Sequence, residues 1–274
     1  MVSDMSSTLP LNASVELSNG VSLPLLGLGV YQIPKGLPTE QTVLWALEAG
    51  YRHIDTASFY GNEESVGKAI RESGIKREEI FITTKLWPTD FFRAEKAFHK
   101  SRERLGLDYV DLYLLHWPSP IARGGAWKSL EKLYAEKHIR AIGVSNYSVA
   151  QLQTHLKKHE IVPAVNQVEF SPFNYKKELL EFCQANKIQL EAYSPLTRGK
   201  KLDHPALEDL AKRLGKSVAQ VMLRWAIQRN VVVLPKSQRK ERISENSQIF
   251  DFEIAPEEMA ILDSLNENYR ALFK

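Results

Sequence analysis

Polar side chains of several chemical types close a series of short apolar runs along this sequence. The residues at the ends of the runs are Asp55, Lys85, His116, Asn146, Gln167, Tyr193 and Lys236. Tyr60 follows Asp55 on a short predicted loop. If the runs are parallel strands of one closed sheet, their carboxyl ends share one face, and these side chains meet there. The sequence therefore predicts a single site that combines a carboxylate, an ammonium, an imidazole and a phenol.

Asp55, Lys85, Tyr60 and His116 form the predicted catalytic group. A buried lysine and aspartate are costly unless they contact each other, and an ammonium beside a phenol lowers the pKa of the phenol. A tyrosine whose pKa starts near ~10 could then donate a proton at neutral pH, while His116 orients a substrate oxygen. A proton donor of this kind without a metal fits carbonyl reduction, with the hydride supplied by a cofactor.

The segment after the last apolar run is basic and offers a place for a phosphate group. Lys236, Ser237 and Arg242 match the acceptor oxygens of a 2′-phosphate, and barrels often bind phosphate after their last strands. Without that context, the same segment is typical of a solvated helix start. Both interpretations stay open on these residues alone.

Eight apolar runs can position these side chains. They cover residues 25–29, 51–56, 80–85, 109–116, 139–146, 164–170, 188–194 and 231–237. Helical spacing separates the runs, as around Val43 and Leu47, so strand and helix alternate. The 274 residues allow about 34 for each unit, close to the minimum for a strand and a crossover helix. The predicted fold class is α/β, a (β/α)8 TIM barrel, as one domain over residues 1–274.

Two local signals and two missing motifs refine this prediction. Asn19 and Gly20 indicate a β-hairpin that closes the bottom of the barrel, and Ser217 with Gln220 predicts a helix start. The segment that begins Gly27-Leu28-Gly29 lacks the third glycine of the dinucleotide fingerprint, and residues 210–217 lack the first glycine of a phosphate loop. A doubly wound fold is therefore disfavoured.

Composition narrows the classes of partner and compartment. The 36 Lys and Arg residues against 33 Asp and Glu leave a formal charge of +3, which predicts neither a nucleic-acid nor a membrane partner. The single cysteine, Cys183, lies in an apolar stretch and is expected to be a buried thiol. The first dozen residues lack the pattern of a secretory leader, and no apolar run approaches ~18 residues. We therefore expect a cytoplasmic protein.

Several segments, in order along nearly the whole chain, resemble motifs of the aldo-keto reductase superfamily. They are HIDTASFYGNE at residues 53–63, TKLW at 84–87, LLHWP at 114–118, GVSN at 143–146, NQVE at 166–169, YSPL at 193–196, and PKS at 235–237 with Arg242, Glu245 and Asn246. The resemblance implies a (β/α)8 barrel, a preference for NADPH and reversible reduction of aldehydes or ketones. It also implies that Tyr60 is the general acid, that Lys85 and Asp55 tune it, and that His116 is the orienting donor.

The same resemblance implies which residues bind NADP(H) and the small-molecule carbonyl substrate. The implied cofactor residues are Gly29, Val30, Tyr31, Asp55, Ser145, Asn146, Gln167, Tyr193, Ser194, Pro195, Leu196, Lys236, Ser237, Gln238, Arg242, Glu245 and Asn246. Among them, Ser145, Asn146 and Gln167 hold the nicotinamide carboxamide, and Tyr193 stacks on the ring. Candidate walls of the substrate pocket are Tyr31, Trp87, His116 and Trp117.

Loop lengths and alternative functions complete the expectations. Only residues 119–125 separate Pro118 from the next helix, and nine residues follow Leu265, so the pocket is expected to be open on both sides. This resembles short microbial members of the family, such as diketogluconate and methylglyoxal reductases, and favours aldehydes, dicarbonyls or keto sugars. We expect a monomer without a bound metal. The alternatives are a metal-dependent barrel hydrolase and an NADPH-binding regulatory or redox-sensing barrel with little turnover. His155 and His159 are expected on a solvated helix face.

Overall fold

Ten short strands form two sheets within the described part of the chain. The computed structural model describes residues 9–121 and 123–272, so the expectation about a leader rests mainly on residues outside these ranges. The strands are β1 (Ser14–Glu16), β2 (Ser22–Pro24), β3 (Leu28–Gly29), β4 (His53–Asp55), β5 (Phe81–Leu86), β6 (Val110–Leu115), β7 (Ile139–Ser145), β8 (Val165–Glu169), β9 (Gln189–Tyr193) and β10 (Val232–Leu234). Strands β3 to β10 each overlap one predicted apolar run, which confirms the eight-strand pattern.

Strands β3 to β10 lie side by side in chain order and run parallel. The first and last of them also join, because the Gly27 amide donates to the Val233 carbonyl at 2.9 Å and the Val233 amide donates to the Leu25 carbonyl at 2.9 Å. A Cβ on Gly27 would lie 2.6 Å from His53 Nδ1, so only glycine fits at this seam. The sheet is therefore closed into the predicted (β/α)8 barrel.

Helices alternate with the barrel strands and cover their outer face. They are α1 (Leu37–Glu48), α2 (Glu63–Glu72), α3 (Ala94–Leu105), α4 (Arg123–Ala135), α5 (Val149–Leu156), α6 (Lys177–Ala185), α7 (Pro205–Leu214), α8 (Val218–Gln228), α9 (Lys240–Ser247) and α10 (Pro256–Ser264). The predicted capping box at Ser217 and Gln220 is present at the start of α8. Every residue of β6 is buried, as expected for strands covered on both faces. No helix in the described ranges is long and apolar enough to cross a membrane.

The predicted hairpin lies at the N-terminal end of the barrel. Strands β1 and β2 pair antiparallel with Val15 opposite Leu23, and Gly20 in the turn adopts a φ of +81° that glycine tolerates without strain. Asn19 Nδ2 donates to the Arg140 carbonyl at 2.9 Å, near the start of β7. Leu23 is fully buried. The hairpin therefore covers the bottom of the barrel and leaves the carboxyl ends of the strands free.

Cys183 is buried as expected, whereas the expectation for His155 is wrong. His155 is 6% exposed and packs edge-on against Trp127 of α4, with ring centroids 4.4 Å apart. Burial, His159 and Arg123 lower the pKa of His155 to about 3, so the ring is neutral. The adjacent Lys157 and Lys158 are exposed. The charged neighbours suggested a wholly solvated face, but the α5 face that carries His155 is covered by α4.

Candidate active site

Lys85 joins two of the other predicted catalytic residues at the top of β4 and β5. Its Nζ lies 2.6 Å from Asp55 Oδ1, 2.9 Å from the Thr56 carbonyl and 3.2 Å from Tyr60 Oη. Tyr60 ends a short 3-10 turn, Ser58–Tyr60, directly after β4. An ammonium has three donors, and all three are used here. Because Tyr60 accepts from Lys85, its own hydroxyl proton is left for the cavity.

The electrostatics keep Lys85 charged and Tyr60 protonated. Burial acts to lower the pKa of Lys85, but Asp55 and Tyr60 raise it by more, so the group stays an ammonium. Burial raises the pKa of Tyr60 and Lys85 lowers it, with a net value of about 12. The sequence predicted the effect of Lys85 but not the larger opposing effect of burial. Tyr60 is therefore a phenol at neutral pH, and Lys85 favours the phenolate that proton donation leaves.

His116 follows β6 and contacts Tyr60 across the site. The two rings lie 5.6 Å apart between centroids, and Trp87 approaches the same imidazole edge-on at 5.0 Å. Burial and the charge of Lys85 lower the pKa of His116 to about 2, so the ring is neutral. Nδ1 is buried and has no hydrogen-bond partner among the described residues. The ring can therefore act as a neutral hydrogen-bonding group.

The side chains predicted to hold a carboxamide are already hydrogen-bonded to other groups of the protein. Asn146 Nδ2 donates to the His116 carbonyl at 3.2 Å and to Ser145 Oγ at 3.0 Å, while Tyr193 Oη donates to Asn146 Oδ1 at 2.8 Å. Gln167 Nε2 donates to Asp55 Oδ2 at 2.8 Å and to Glu191 Oε2 at 2.9 Å. No hydrogen bond to Gln167 Oε1 is present within residues 9–121 and 123–272. Gln167 therefore keeps a free acceptor.

A cavity of about 580 Å³ opens at the carboxyl ends of the strands and brings most of the predicted site together. The predicted residues that line it are Gly29, Tyr31, Asp55, Tyr60, Trp87, His116, Trp117, Ser145, Asn146, Gln167, Tyr193, Ser194, Pro195, Leu196, Lys236, Ser237, Arg242, Glu245 and Asn246. Lys85 lies fully buried beneath Tyr60. Val30 is fully buried and Gln238 is exposed, and neither lines the cavity.

One end of the cavity has aromatic walls. Phe59 stacks on Trp87 with ring centroids 4.1 Å apart, and Tyr31 lies 4.9 Å from Tyr60. Sequence reasoning missed Phe59, although it lies within the catalytic segment. It also missed Leu272, which lines the cavity although the C-terminal tail is short. The Tyr269 amide donates to the Phe173 carbonyl at 2.9 Å, so this part of the tail is held in place and Leu272 forms part of the C-terminal side of the pocket. That the pocket is open on this side stays a prediction.

The opposite end of the cavity is cationic. Lys236 and Arg242 line it together with Arg198, which the sequence analysis missed. Burial and the charge of Arg198 lower the pKa of Lys236. Ser217, which caps α8, and the first two residues of α8, Val218 and Ala219, also line this end, whereas the sequence predicts only the cap. No carboxylate pairs with these three cations in the part of the chain that the structure describes, so they suit an anionic ligand.

A hydrogen bond links two loops over this end. Arg198 Nη2 donates to Gln32 Oε1 at 2.7 Å, and both residues are exposed and line the cavity. Gln32 follows β3 and Arg198 follows β9. Since β10 lies between those strands, the link crosses the end of the strand that leads to Lys236. No group of three or more histidine, cysteine or acidic side chains within the described ranges could hold a metal ion.

The fold and this cavity define a barrel oxidoreductase, and a family model identifies its class. The model described as the aldo/keto reductase family matches residues 26–267, so the chain belongs to that family. Family members are NADPH-dependent carbonyl reductases, and this chain is an NADP-dependent oxidoreductase that acts on carbonyl groups. The cationic end and the polar groups at the strand ends fit NADP(H).

Individual relatives share most of their length with the chain. Glyoxal reductase of Bacillus subtilis is 50% identical over 262 residues, which cover 95% of each chain. The 9,11-endoperoxide prostaglandin H2 reductase of Trypanosoma cruzi is 49% identical and covers 93% of this chain and 92% of its own. A Bombyx mori aldo-keto reductase in complex with NADP aligns with a TM-score of 0.90 and 36% identity, over 97% of this chain and 96% of that one.

Proposed function

We propose that this chain reduces small uncharged aldehydes and ketones with NADPH, and that Tyr60 donates the proton. The observation that carries the proposal is the contact of Lys85 Nζ with Tyr60 Oη at 3.2 Å, while the same ammonium is bound to Asp55. NADPH supplies the hydride when bound. The Tyr60 proton passes to the carbonyl oxygen, on which negative charge develops.

Each of the other catalytic residues has one task in this proposal. Lys85 donates to Tyr60 Oη and stabilises the phenolate that remains after proton transfer. Asp55 offsets the cost of burying the Lys85 charge. His116, as a neutral imidazole, donates a hydrogen bond to the substrate oxygen and holds it near Tyr60.

The proposed cofactor contacts extend along the cavity from the catalytic residues to the cationic end. Tyr193 stacks on the nicotinamide, and Gln167 accepts from the carboxamide through its free Oε1. Ser145 and Asn146 exchange their present hydrogen bonds for contacts with the same group. The remaining predicted cofactor residues extend from this position to the cationic end.

At the cationic end, Lys236, Ser237 and Arg242 bind the 2′-phosphate. Arg198, whose charge lowers the pKa of Lys236, adds a further positive charge beside that phosphate. Val30 and Gln238 do not line the cavity, so their contribution is limited to the backbone that carries Gly29 and Ser237.

The substrate class follows from the aromatic end of the cavity. Its walls, formed by Tyr31, Phe59, Trp87, His116 and Trp117, offer no charged side chain, because burial keeps His116 neutral. A carboxylate or phosphate on the substrate would therefore lose its hydration without gaining a cation. The name of the relative glyoxal reductase supports small aldehydes and dicarbonyls as the proposed substrates within this class.

We also propose that residues 1–274 form one domain, supported by the single closed sheet of eight strands.

Tyr60→Phe tests the proton donor. We expect at least a ~100-fold loss of kcat with methylglyoxal, because a general acid contributes about that much or more, while NADPH binding followed by fluorescence survives. Tyr134→Phe, on α4 and outside the cavity, is the matched control and should keep wild-type rates. Equal activity of Tyr60→Phe and the control would remove Tyr60 from the mechanism.

A further inference from the structure

Glu191 is a second carboxyl group inside the barrel, on β9, and the proposed mechanism does not use it. Its side chain is fully buried, and its Oε2 accepts from Gln167 Nε2 at 2.9 Å. The same nitrogen donates to Asp55 Oδ2 at 2.8 Å. One amide nitrogen therefore bridges the catalytic carboxylate and a second carboxyl group.

The charges around Glu191 do not balance if both carboxyl groups are ionised. The cation that faces the pair is Lys85 of β5, and it is bound to Asp55 at 2.6 Å. His53 of β4 is buried and neutral, since burial and Lys85 lower its pKa to about 3, and its Nε2 lies 3.8 Å from Glu191 Oε1.

The strand on the other side of β9 supplies no charge. Val232 of β10 is the residue in register with Glu191, and β10 is Val232–Leu234, which is wholly apolar. Oε1 of Glu191 has no hydrogen-bond partner among the described residues. An ionised Glu191 would thus be a buried anion without a cation of its own.

We propose that Glu191 carries a proton at neutral pH and is a positioning residue, whose neutral carboxyl holds Gln167 against Asp55. Among the described residues, Asp55 then remains the only anion beside Lys85, and Lys85 keeps its contact with Tyr60. Burial, followed by the charge of Asp55, raises the pKa of Glu191 to about 8, while Gln167 and Lys85 oppose the shift. The site therefore gains a second negative charge when the pH rises through this value.

The kinetic consequence rests on the proposed role of Tyr60 as proton donor. A second anion near Lys85 disfavours the Tyr60 phenolate, so proton donation becomes harder above a pH of about 8. If the effect on Tyr60 reaches one pKa unit, kcat for reduction falls by about threefold to tenfold. Saturation by NADPH should be little affected, because an ionised Glu191 still accepts from Gln167 Nε2 and leaves Gln167 Oε1 in place for the carboxamide.

Infrared titration of the cofactor-free protein tests the proton directly and needs no turnover. We expect a protonated carboxyl band at pH 6 that disappears by pH 10 and is absent from Glu191→Gln. Glu63→Gln is the matched control, because Glu63 is also buried but is paired with Arg104 and accepts from Thr84 Oγ1 at 2.6 Å. That variant should keep the band. A wild-type spectrum that already lacks the Glu191 band at pH 7 would overturn the proposal.

Pre-steady-state reduction rates against pH test the positioning role. Wild type should lose threefold to tenfold in rate through a transition near pH 8 that is missing in Glu191→Gln, since glutamine keeps a neutral acceptor for Gln167. Glu191→Ala, which removes the acceptor, should be slow at every pH. The same alkaline transition in wild type and Glu191→Gln would contradict the role. If Tyr60→Phe stays active while the infrared result holds, the proton on Glu191 stands and only the proposed function fails.

Discussion

Arg198 donates a hydrogen bond to Gln32 over the cationic end of the cavity, and the two residues are 166 positions apart in the chain. They belong to loops that follow β9 and β3, on either side of β10. The link therefore crosses the proposed path of the cofactor without touching a catalytic side chain. Its contribution should appear in the rates of cofactor entry and exit.

Gln32→Ala removes the acceptor of this link and should speed both NADPH association and NADPH dissociation. A hydrogen bond of this type contributes about 0.5–1.5 kcal/mol, which corresponds to roughly a twofold to tenfold change in rate. The affinity should change less than either rate. Stopped-flow NADPH fluorescence measures both. Gln153→Ala, at an exposed glutamine of α5 that does not line the cavity, is the control, and identical rates in the two variants would contradict a gating role.

Arg242→Ala should lower the affinity for NADPH far more than the affinity for NADH. The guanidinium lines the cationic end, and a hydrogen bond to a charged group contributes about 1.5–3 kcal/mol, or roughly 10- to 150-fold in affinity. Fluorescence titration with both cofactors at fixed salt gives the ratio. Arg239→Ala removes a nearby exposed cation that does not line the cavity, so it should leave the ratio unchanged. An equal loss of affinity for NADPH and NADH would mean that Arg242 does not bind the 2′-phosphate.

Gly67→Ala should destabilise the barrel where α2 crosses α3. A Cβ on Gly67 would lie 1.9 Å from the Leu105 carbonyl oxygen, and this backbone must shift to admit it. Overpacking of this kind costs about 3 kcal/mol. Gly125→Ala in α4 is the control, since its Cβ would meet no described atom within 4 Å, and helix propensity predicts a gain of up to about 1 kcal/mol. Denaturant unfolding of both variants measures the difference in the free energy of unfolding. Equal stabilities would contradict the predicted clash at Gly67.

The order of the barrel strands could be predicted from the chain because each apolar run is short and ends in a polar residue. The contact between Lys85 and Asp55 was also expected, since neither charge is tolerated alone in a barrel interior. The role of Glu191 could not be predicted from the sequence. Glu191 lies within an apolar run, where a carboxyl group looks like an exposed residue until its strand is shown to be covered.

Other parts of the site depend on tertiary relationships that the chain does not encode locally. The Arg198 link joins two distant loops, and nothing near either residue indicates the other. The contribution of Leu272 depends on how residues 265–272 return over the barrel from α10. The pKa of Tyr60 is a balance between burial and the charge of Lys85, and only the folded structure gives the burial.

Cys183 has a practical consequence for future spectroscopy. The only thiol of the chain lies on the buried face of α6, and burial raises its pKa to about 12, so it is a poor nucleophile toward alkylating reagents. A single cysteine introduced at an exposed position, such as Phe92→Cys at a residue that is 82% exposed, would therefore take a maleimide fluorophore selectively. The native chain thus needs no cysteine removal before single-site labelling.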